Sequence, residues 1–361
     1  MYLKLTEINF QPQILKTQII FQYYEFSNSN SILLVCSSHN SKFLTHFNMK
    51  KVKDFKYKPD MTISEMVSSF GNLGYQAIEL HEATNIFLKM KRENCKIFLT
   101  FTSNMVTSGL RGLFAQLCEM KIPNILVTTS GSIEEDIMKS LGANFEISSF
   151  DADDIQLHES GENRIGNLII KTESYMKFED KISTYLEQVY QKKKRLSSSE
   201  LLHEIGILIE DKNSILHQAA KNNIPIYCPG IADSSFGFQL YMFQQKHPDF
   251  IVDTILDMKR ITEDLSFDEK KGLISLGGSI SKHYAIFASL LSGGLDYAIY
   301  LTTSHASSGS MSGATTSEAK SWGKIKDDGQ AATVNGDVCI TFPLMICSGL
   351  DKMKEEGLLK W

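Results

Sequence analysis

The residues best suited to chemistry lie near the C-terminus, in residues 318–325, Glu-Ala-Lys-Ser-Trp-Gly-Lys-Ile. Lys324 stands two residues after Trp322, one of the chain's two tryptophans, and six after Glu318. Two readings fit a lysine there. In one it is a solvated side chain in a loop, where most lysines are found. In the other it is a buried amine, deprotonated more readily because burial disfavours the charged form, and able to form an imine with a carbonyl carbon. His283 is a second candidate. Its ordinary pKa suits proton transfer near neutral pH, although a histidine at a helix start is also often structural. Asp233, in Gly-Ile-Ala-Asp-Ser-Ser-Phe-Gly (230–237), either caps the following helix or holds a ribose or an amine.

Positioning such groups takes a scaffold, and the chain carries a repeated pattern for one. Continuous apolar stretches at 96–102, 122–128, 223–229, Lys271–Leu276 and Leu295–Thr302 read as buried strands. After the first two, small polar turns follow (Ser103-Asn104 and Thr129-Ser-Gly-Ser132), then helices from 107 to 120 and from about Ile133. Strand, turn and helix in alternation predict an α/β fold: a doubly wound, mainly parallel Rossmann-like sheet with helices on both faces. Further helices are expected at 76–91, at 175–195, from a Ser197–Ser199 cap to 210, and from Lys282-His283 and Val338 onward. Thr62 or Ser64 should cap another, with Met61, Val67 and Phe70 on one face. Residues 304–317 form a loop of Ser, Gly and Thr, and 333–337 a short edge segment. Ligands of such sheets bind at the carboxyl ends of the strands. The turns there lack a G-x-G-x-x-G, so dinucleotide binding and plain turn chemistry stay equally open.

Composition narrows the class. With 361 residues, 42% hydrophobic and 22% charged, the chain is ordinary for a globular protein. A net charge of −5 argues against nucleic-acid binding, and the basic run Lys192-Lys-Lys-Arg195 reads as a solvated helix end. The six cysteines are scattered without a Cys-x-x-Cys pair, which predicts reduced core thiols in a cytoplasmic protein and no metal site. No apolar run approaches the roughly 20 residues needed to span a bilayer, and no signal peptide is legible. Residues 1–48 are either an N-terminal extension or precede a true start at Met49; residues 49–361 read as a single catalytic domain.

Several motifs together carry a family resemblance from about Met49 to Leu350. They are Thr-Ser-Asn-Met-Val-Thr-Ser-Gly (102–109), Val-Thr-Thr-Ser-Gly-Ser-Ile-Glu-Glu-Asp (127–136), Asn-Arg-Ile-Gly-Asn (163–167), Leu-Gly-Gly-Ser-Ile-Ser-Lys-His (276–283) and the Lys324 octet. In this order they resemble deoxyhypusine synthase, in its archaeal form. The resemblance implies an NAD-dependent transferase. It moves the 4-aminobutyl group of spermidine through a lysine imine to one lysine of the translation initiation factor 5A precursor. Lys324 would be the nucleophile, its pKa lowered by burial against Trp322, and His283 the base. NAD would contact Ser103, Asn104, Thr107, Thr129, Ser130, Gly131, Glu135, Asp233, Gly278, Thr303, Ser304 and Asp337. Glu134, Glu135 and Glu318 would face the ammonium groups of the polyamine, with His283, Trp322 and Gly309 completing that site. The family implies a homotetramer with active sites between paired subunits. Homospermidine synthesis with putrescine as acceptor, or a weak paralogue serving as partner subunit, are the alternatives. This sequence departs from the family where polyamine-binding acids stand in many members: Phe238, Ser308 and Met311 replace them, and Ser307 replaces an aromatic residue. Two lost charges would weaken polyamine binding by a few kcal/mol if the amines are buried, and by much less if they are wet.

Overall fold

The computed structural model describes residues 7–10, 19–25, 31–38, 41–48 and 50–359, with side chains from residue 50 onward. The described residues as far as Tyr57, with Asn72–Gly74, form one compact unit; Lys58–Gly71 and the chain from Tyr75 onward form another. The first holds an antiparallel meander of Glu7–Phe10, Ile19–Glu25, Ser31–Ser38 and Ser41–Asn48, each strand paired with the next. The apolar stretch 32–36 lies within its third strand. Residues 11–18 and 26 of the apolar stretch before it lie outside the described residues.

The second unit is built on a six-stranded sheet, whose strands alone are numbered here. They are β1 Lys96–Thr100, β2 Ile125–Val127, β3 Ile226–Tyr227, β4 Lys271–Leu276, β5 Leu295–Thr302 and β6 Ile325–Asn335. All neighbours are parallel, in the order 3-2-1-4-5-6. This is the doubly wound order, and it reverses between β1 and β4. Side chains alternate across a strand, so each strand feeds two cores. Ile97, Leu99, Ile274, Ile299 and Leu301 enter a core shared with helices Gln76–Arg92, Arg111–Glu119 and Val338–Glu355. Phe98, Leu273, Ala298 and Tyr300 enter the other, shared with helix Ser279–Leu290. Burial on both faces is why these strands read as unbroken apolar runs.

Local chemistry sets most helix starts as expected. Thr62 caps Ile63–Phe70 and Ser197 caps Ser198–Leu208, each in a reciprocal capping box with the glutamate three residues on. Four expectations need correction. The helix expected from Thr107 begins at Ser103 and passes through a π-type turn, Val106–Leu110, where Gly109 takes φ 105°. The helices after β2 and β4 begin at Ser130 and Ser279, three residues early, because the small polar residues read as turns form their first turns. The short segment at 333–337 is the end of β6, an edge strand whose Lys326, Asp327 and Asp328 hide it, since one open side tolerates charge. A small antiparallel sheet of Glu146–Ile147, Leu168–Lys171 and Glu162–Ile165 was not legible, its strands being two to four residues long. The charged helix spans Thr172–Lys192, and the basic run at its end is paired rather than free: Lys192 with Glu204, Lys193 with Glu200, Lys194 with Asp249 and Arg195 with Asp253.

Among the described residues no helix is long and apolar enough to cross a membrane. Cys95, Cys118 and Cys228 are buried and free; Cys339 and Cys347 are free and half-buried.

Candidate active site

A cleft of about 550 Å³ opens where the strand order reverses. Its walls are the residues after β1 (Thr102, Asn104, Thr107), after β4 (Gly277 to Ser279), after β5 (Thr303, Ser304) and after β6 (Asp337, Cys339). The backbone here accepts little bulk. A Cβ on Gly278 would lie 2.2 Å from Ser312 Cα, and one on Gly131 would lie 2.9 Å from Ser103 Cβ. Helix Ser130–Ser140 starts without a side-chain cap, which leaves its first-turn N–H groups for a phosphate. The last helix starts with Asp337, whose Oδ1 accepts from Cys339 N at 2.8 Å. Close backbone approach, helix N-termini and hydroxyls fit a dinucleotide.

Of the residues predicted to bind a cofactor, Asn104, Thr107, Gly278, Thr303, Ser304 and Asp337 line this cleft. Ser103, Thr129, Ser130, Gly131 and Glu135 adjoin it on the β2 side. Thr107 Oγ1 donates to Glu135 Oε2 at 2.6 Å and joins the two parts. Burial pushes the Glu135 carboxyl up to about 7 and also raises Glu134. Glu134 Oε1 accepts from Phe236 N at 2.8 Å, so one oxygen of this predicted ammonium ligand already serves the start of helix Ser235–Lys246. Asp233 does not cap that helix. Ser234 does, accepting from Gly237 N at 2.8 Å, and Asp233 stays exposed.

The lysine site is a second cluster. Lys324 is 9% exposed, and its Nζ lies 5.2 Å from the ring centre of Trp322, itself 65% exposed. Its backbone is held on both sides: Lys324 N donates to Ala319 O and Lys324 O accepts from Leu295 N, both at 3.0 Å. Gly323, with φ 68°, makes the turn between helix Thr316–Ser321 and β6. His283 sits in the second turn of helix Ser279–Leu290, its ring parallel to that of Phe287 with centroids 6.1 Å apart. Burial, and after it the charge of Lys324, hold the imidazole below its ordinary pKa. Glu318 is exposed near the start of helix Thr316–Ser321, and Gly309 (φ 65°) closes the turn Ala306–Ser308.

One member of this cluster had no role in the sequence reading. Lys282 is 1% exposed and donates from Nζ to Ala314 O at 2.9 Å and Met311 O at 3.1 Å. The same Nζ lies 3.8 Å from the ring centre of Tyr300. Burial pushes its pKa down to about 8; the Glu318 carboxylate works against that shift and the Lys324 charge adds to it. The signal for it was helical period: Ser281, Lys282, Ala285, Ala288 and Ser289 form one buried face.

The two clusters lie at different levels of the sheet. Lys324 immediately precedes β6, whose Ile325 is in register with Leu295, while the cleft begins seven residues on at Thr302. At about 3.3 Å per residue that is ~23 Å along β5.

Comparison with known proteins places the chain. The family model for deoxyhypusine synthase matches residues 65–348. A protein of Thermoplasma acidophilum named "Probable deoxyhypusine synthase" is 38% identical over 300 residues, covering 82% of this chain and 96% of that one. A protein of the same name from Schizosaccharomyces pombe is 35% identical over 311 residues, covering 81% and 89%. A solved structure described as a "putative deoxyhypusine synthase from Entamoeba histolytica" superposes with TM-score 0.61 at 25% identity, covering 83% and 97%.

Proposed function

The chain belongs to the deoxyhypusine synthase family and is a transferase, and we propose that it moves the 4-aminobutyl group of spermidine to a lysine of the translation initiation factor 5A precursor, with NAD as cofactor. The observation that carries the reading is Lys324, a nearly buried amine pinned by its backbone beside Trp322 and His283. The Lys324 amine would add to the oxidised aminobutyl carbon, 1,3-diaminopropane would leave, and the Lys324 imine would pass its butyl unit to the acceptor lysine. His283, held toward the neutral form, would take the proton of the secondary amine. Glu318 would meet an ammonium of the substrate.

The cleft would hold the dinucleotide through Asn104, Thr107, Gly278, Thr303, Ser304 and Asp337, with Ser103, Thr129, Ser130, Gly131 and Glu135 extending the site. Bound there, NAD supplies a hydride acceptor that gives the hydride back, so it is not consumed. Lys324 stands ~23 Å down the sheet from the β5 edge of its own chain's cleft. That supports a homotetramer whose sites pair the cleft of one subunit with the lysine of another. The free cysteines suit a cytoplasmic setting. The matching family model and relatives support deoxyhypusine synthesis over homospermidine synthesis or a partner-subunit role.

The test is transfer of label from spermidine by purified protein with NAD, with and without the factor 5A precursor. Borohydride should trap label on Lys324, and Lys324→Arg should trap none. Label passing to putrescine and not to the factor would overturn the acceptor, and absence of any trapped label would overturn spermidine as donor.

A further inference from the structure

Lys282 has no part in the chemistry above, and its surroundings say what it does instead. It is 1% exposed, and its ammonium has three N–H groups to place. Ala314 O accepts from Nζ at 2.9 Å and Met311 O at 3.1 Å, and the face of Tyr300 lies against the same ammonium, 3.8 Å from Nζ to the ring centre. A cation enclosed in this way is turned toward its own chain.

What it holds is the loop 304–317, which supplies Ser304 and Ser312 to the wall of the cleft and has no Asp, Glu, Lys or Arg of its own. The loop is closely packed within itself. A Cβ on Gly313 would lie 2.1 Å from His305 O, so its two limbs touch, and Gly313 N and Ala314 N both donate to Ser310 O at 3.1 Å. A compact loop tied to the body at one residue can still swing about it. Two of the ties do meet at one residue: Thr302 Oγ1 donates to Ser312 O and Ser279 N to Ser312 Oγ, both at 3.2 Å. Lys282 adds a carbonyl on either side of that point, at Met311 and at Ala314, and so turns a pivot into a fixed seat. The seat is on helix Ser279–Leu290, one residue before His283. Lys282 faces inward there and His283 is exposed, so one helical turn sets both the loop and the imidazole.

We propose that Lys282 is a positioning residue for the transfer: it seats the loop 304–317 on the turn that carries His283, so that the cleft wall and the imidazole keep one geometry. It acts through the loop and not on the reacting atoms. The proposal rests on the reading of this site as that of a spermidine-dependent transferase.

Hydrogen exchange and steady-state transfer, both on the full chain, test it together. Lys282→Met keeps an unbranched apolar stem and removes every N–H donor. The amides of Gly313 and Ala314 should then exchange about tenfold faster or more, since the loss of one hydrogen bond from a charged donor suffices for that. At saturating spermidine and NAD, transfer to the factor 5A precursor should fall on the order of 100-fold, the scale of a displaced active-site element, with kcat changing more than either KM. In Lys282→Ala, propylammonium replaces the atoms removed and should restore slow exchange at the same amides, whereas tetramethylammonium, which has no N–H, should not. This arm also covers a Lys282→Met that fails to fold, because Lys282→Ala can be prepared with propylammonium and read before and after its removal. Exchange as slow in Lys282→Met as in wild type overturns the seat. Faster exchange with wild-type kcat and KM overturns its part in the transfer. Recovery with tetramethylammonium as well makes Lys282 a filler of space and overturns the proposal. Wild type that shows the exchange difference but no transfer brings down the transferase reading, and the role in transfer with it, while the seat stands.

Discussion

If the amine of one chain serves the cleft of another, two dead variants should rescue each other. The distance argument is direct. Lys324 O is hydrogen-bonded to Leu295 N at the start of β5, and Thr302 at the end of β5 opens the cleft. Seven residues of strand separate them, ~23 Å, whereas a lysine side chain extends roughly 6 Å from its Cα. An amine on Lys324 thus falls more than 10 Å short of the β5 edge of its own cleft, far beyond the ~3–3.5 Å needed for reaction there. Lys324→Ala removes the amine and spares the cleft. Asn104→Trp fills the cleft and spares the amine. Each alone should be inactive. Refolded together in equal amounts, about half of the two-fold pairs are mixed, and each mixed pair holds one intact site of two, so about a quarter of wild-type transfer should return. The readout is label passed from spermidine to the acceptor per mole of chain. A mixture as dead as its components, under conditions where mass spectrometry shows mixed oligomers, would place the whole site within one chain and refute the reasoning.

Three further outcomes follow from individual groups. Lys282 has a folded pKa near 8 against 10.5 unfolded, so between those values the unfolded chain binds more protons and stability rises with pH. Urea unfolding should show about 2 kcal/mol of gain from pH 7.5 to 10 in wild type that Lys282→Met lacks, and equal slopes would refute it. NAD should shield Cys339, the half-buried cleft thiol, from a maleimide, while Cys347 keeps its rate; mass spectrometry of the labelled peptides decides. Asp136 is buried and accepts from Arg111 Nε at 2.6 Å, Ser214 Oγ at 2.8 Å and Leu216 N at 2.9 Å, so Asp136→Ala should cost about 3 kcal/mol of unfolding free energy by leaving these buried donors unpaired and Arg111 with Asp211 as its remaining carboxylate; an unfolding free energy within about 1 kcal/mol of wild type, the weight of a single ordinary hydrogen bond, would refute it.

Much of this architecture was legible because its strands are covered on both faces. Runs such as Ile97-Phe98-Leu99 admit no other easy reading once a polar turn and a helix follow. Strand β6 escaped for the opposite reason: an edge strand needs no continuous apolar run, and a register shift near Leu295 breaks its alternation. Helix starts were misjudged wherever Ser, Thr and Gly followed a strand, since those residues serve turns and first helical turns equally well. In the candidate site, Lys324 and His283 stand close enough for the charge of one to act on the other. That the β5 edge of the cleft lies a strand's length from Lys324 was invisible, because motifs give order along the chain and not level on the sheet. Asp233 shows the limit of reading single residues: its neighbour Ser234 took the cap.

The loop at 304–317 has no Asp, Glu, Lys or Arg, and its shape is imposed from below. Lys282 holds it by the carbonyls of Met311 and Ala314, and Ser312 Oγ accepts from Ser279 N at 3.2 Å. These contacts use main chain at Met311, so they survive any side chain there. The Met311 side chain meanwhile packs on the core that holds Tyr300. A methionine where the resemblance implies an acid therefore leaves the clamp intact and adds apolar contact. Ser308 differs: its Oγ donates to His305 O at 2.9 Å and accepts from Ser310 N at 3.3 Å, so the side chain there is part of the turn itself. With Glu318 as the carboxylate whose charge reaches Lys282, the proposed polyamine would be held by fewer ion pairs than in family members that keep the loop acids, and its binding should depend correspondingly less on salt, as titration at rising ionic strength would read.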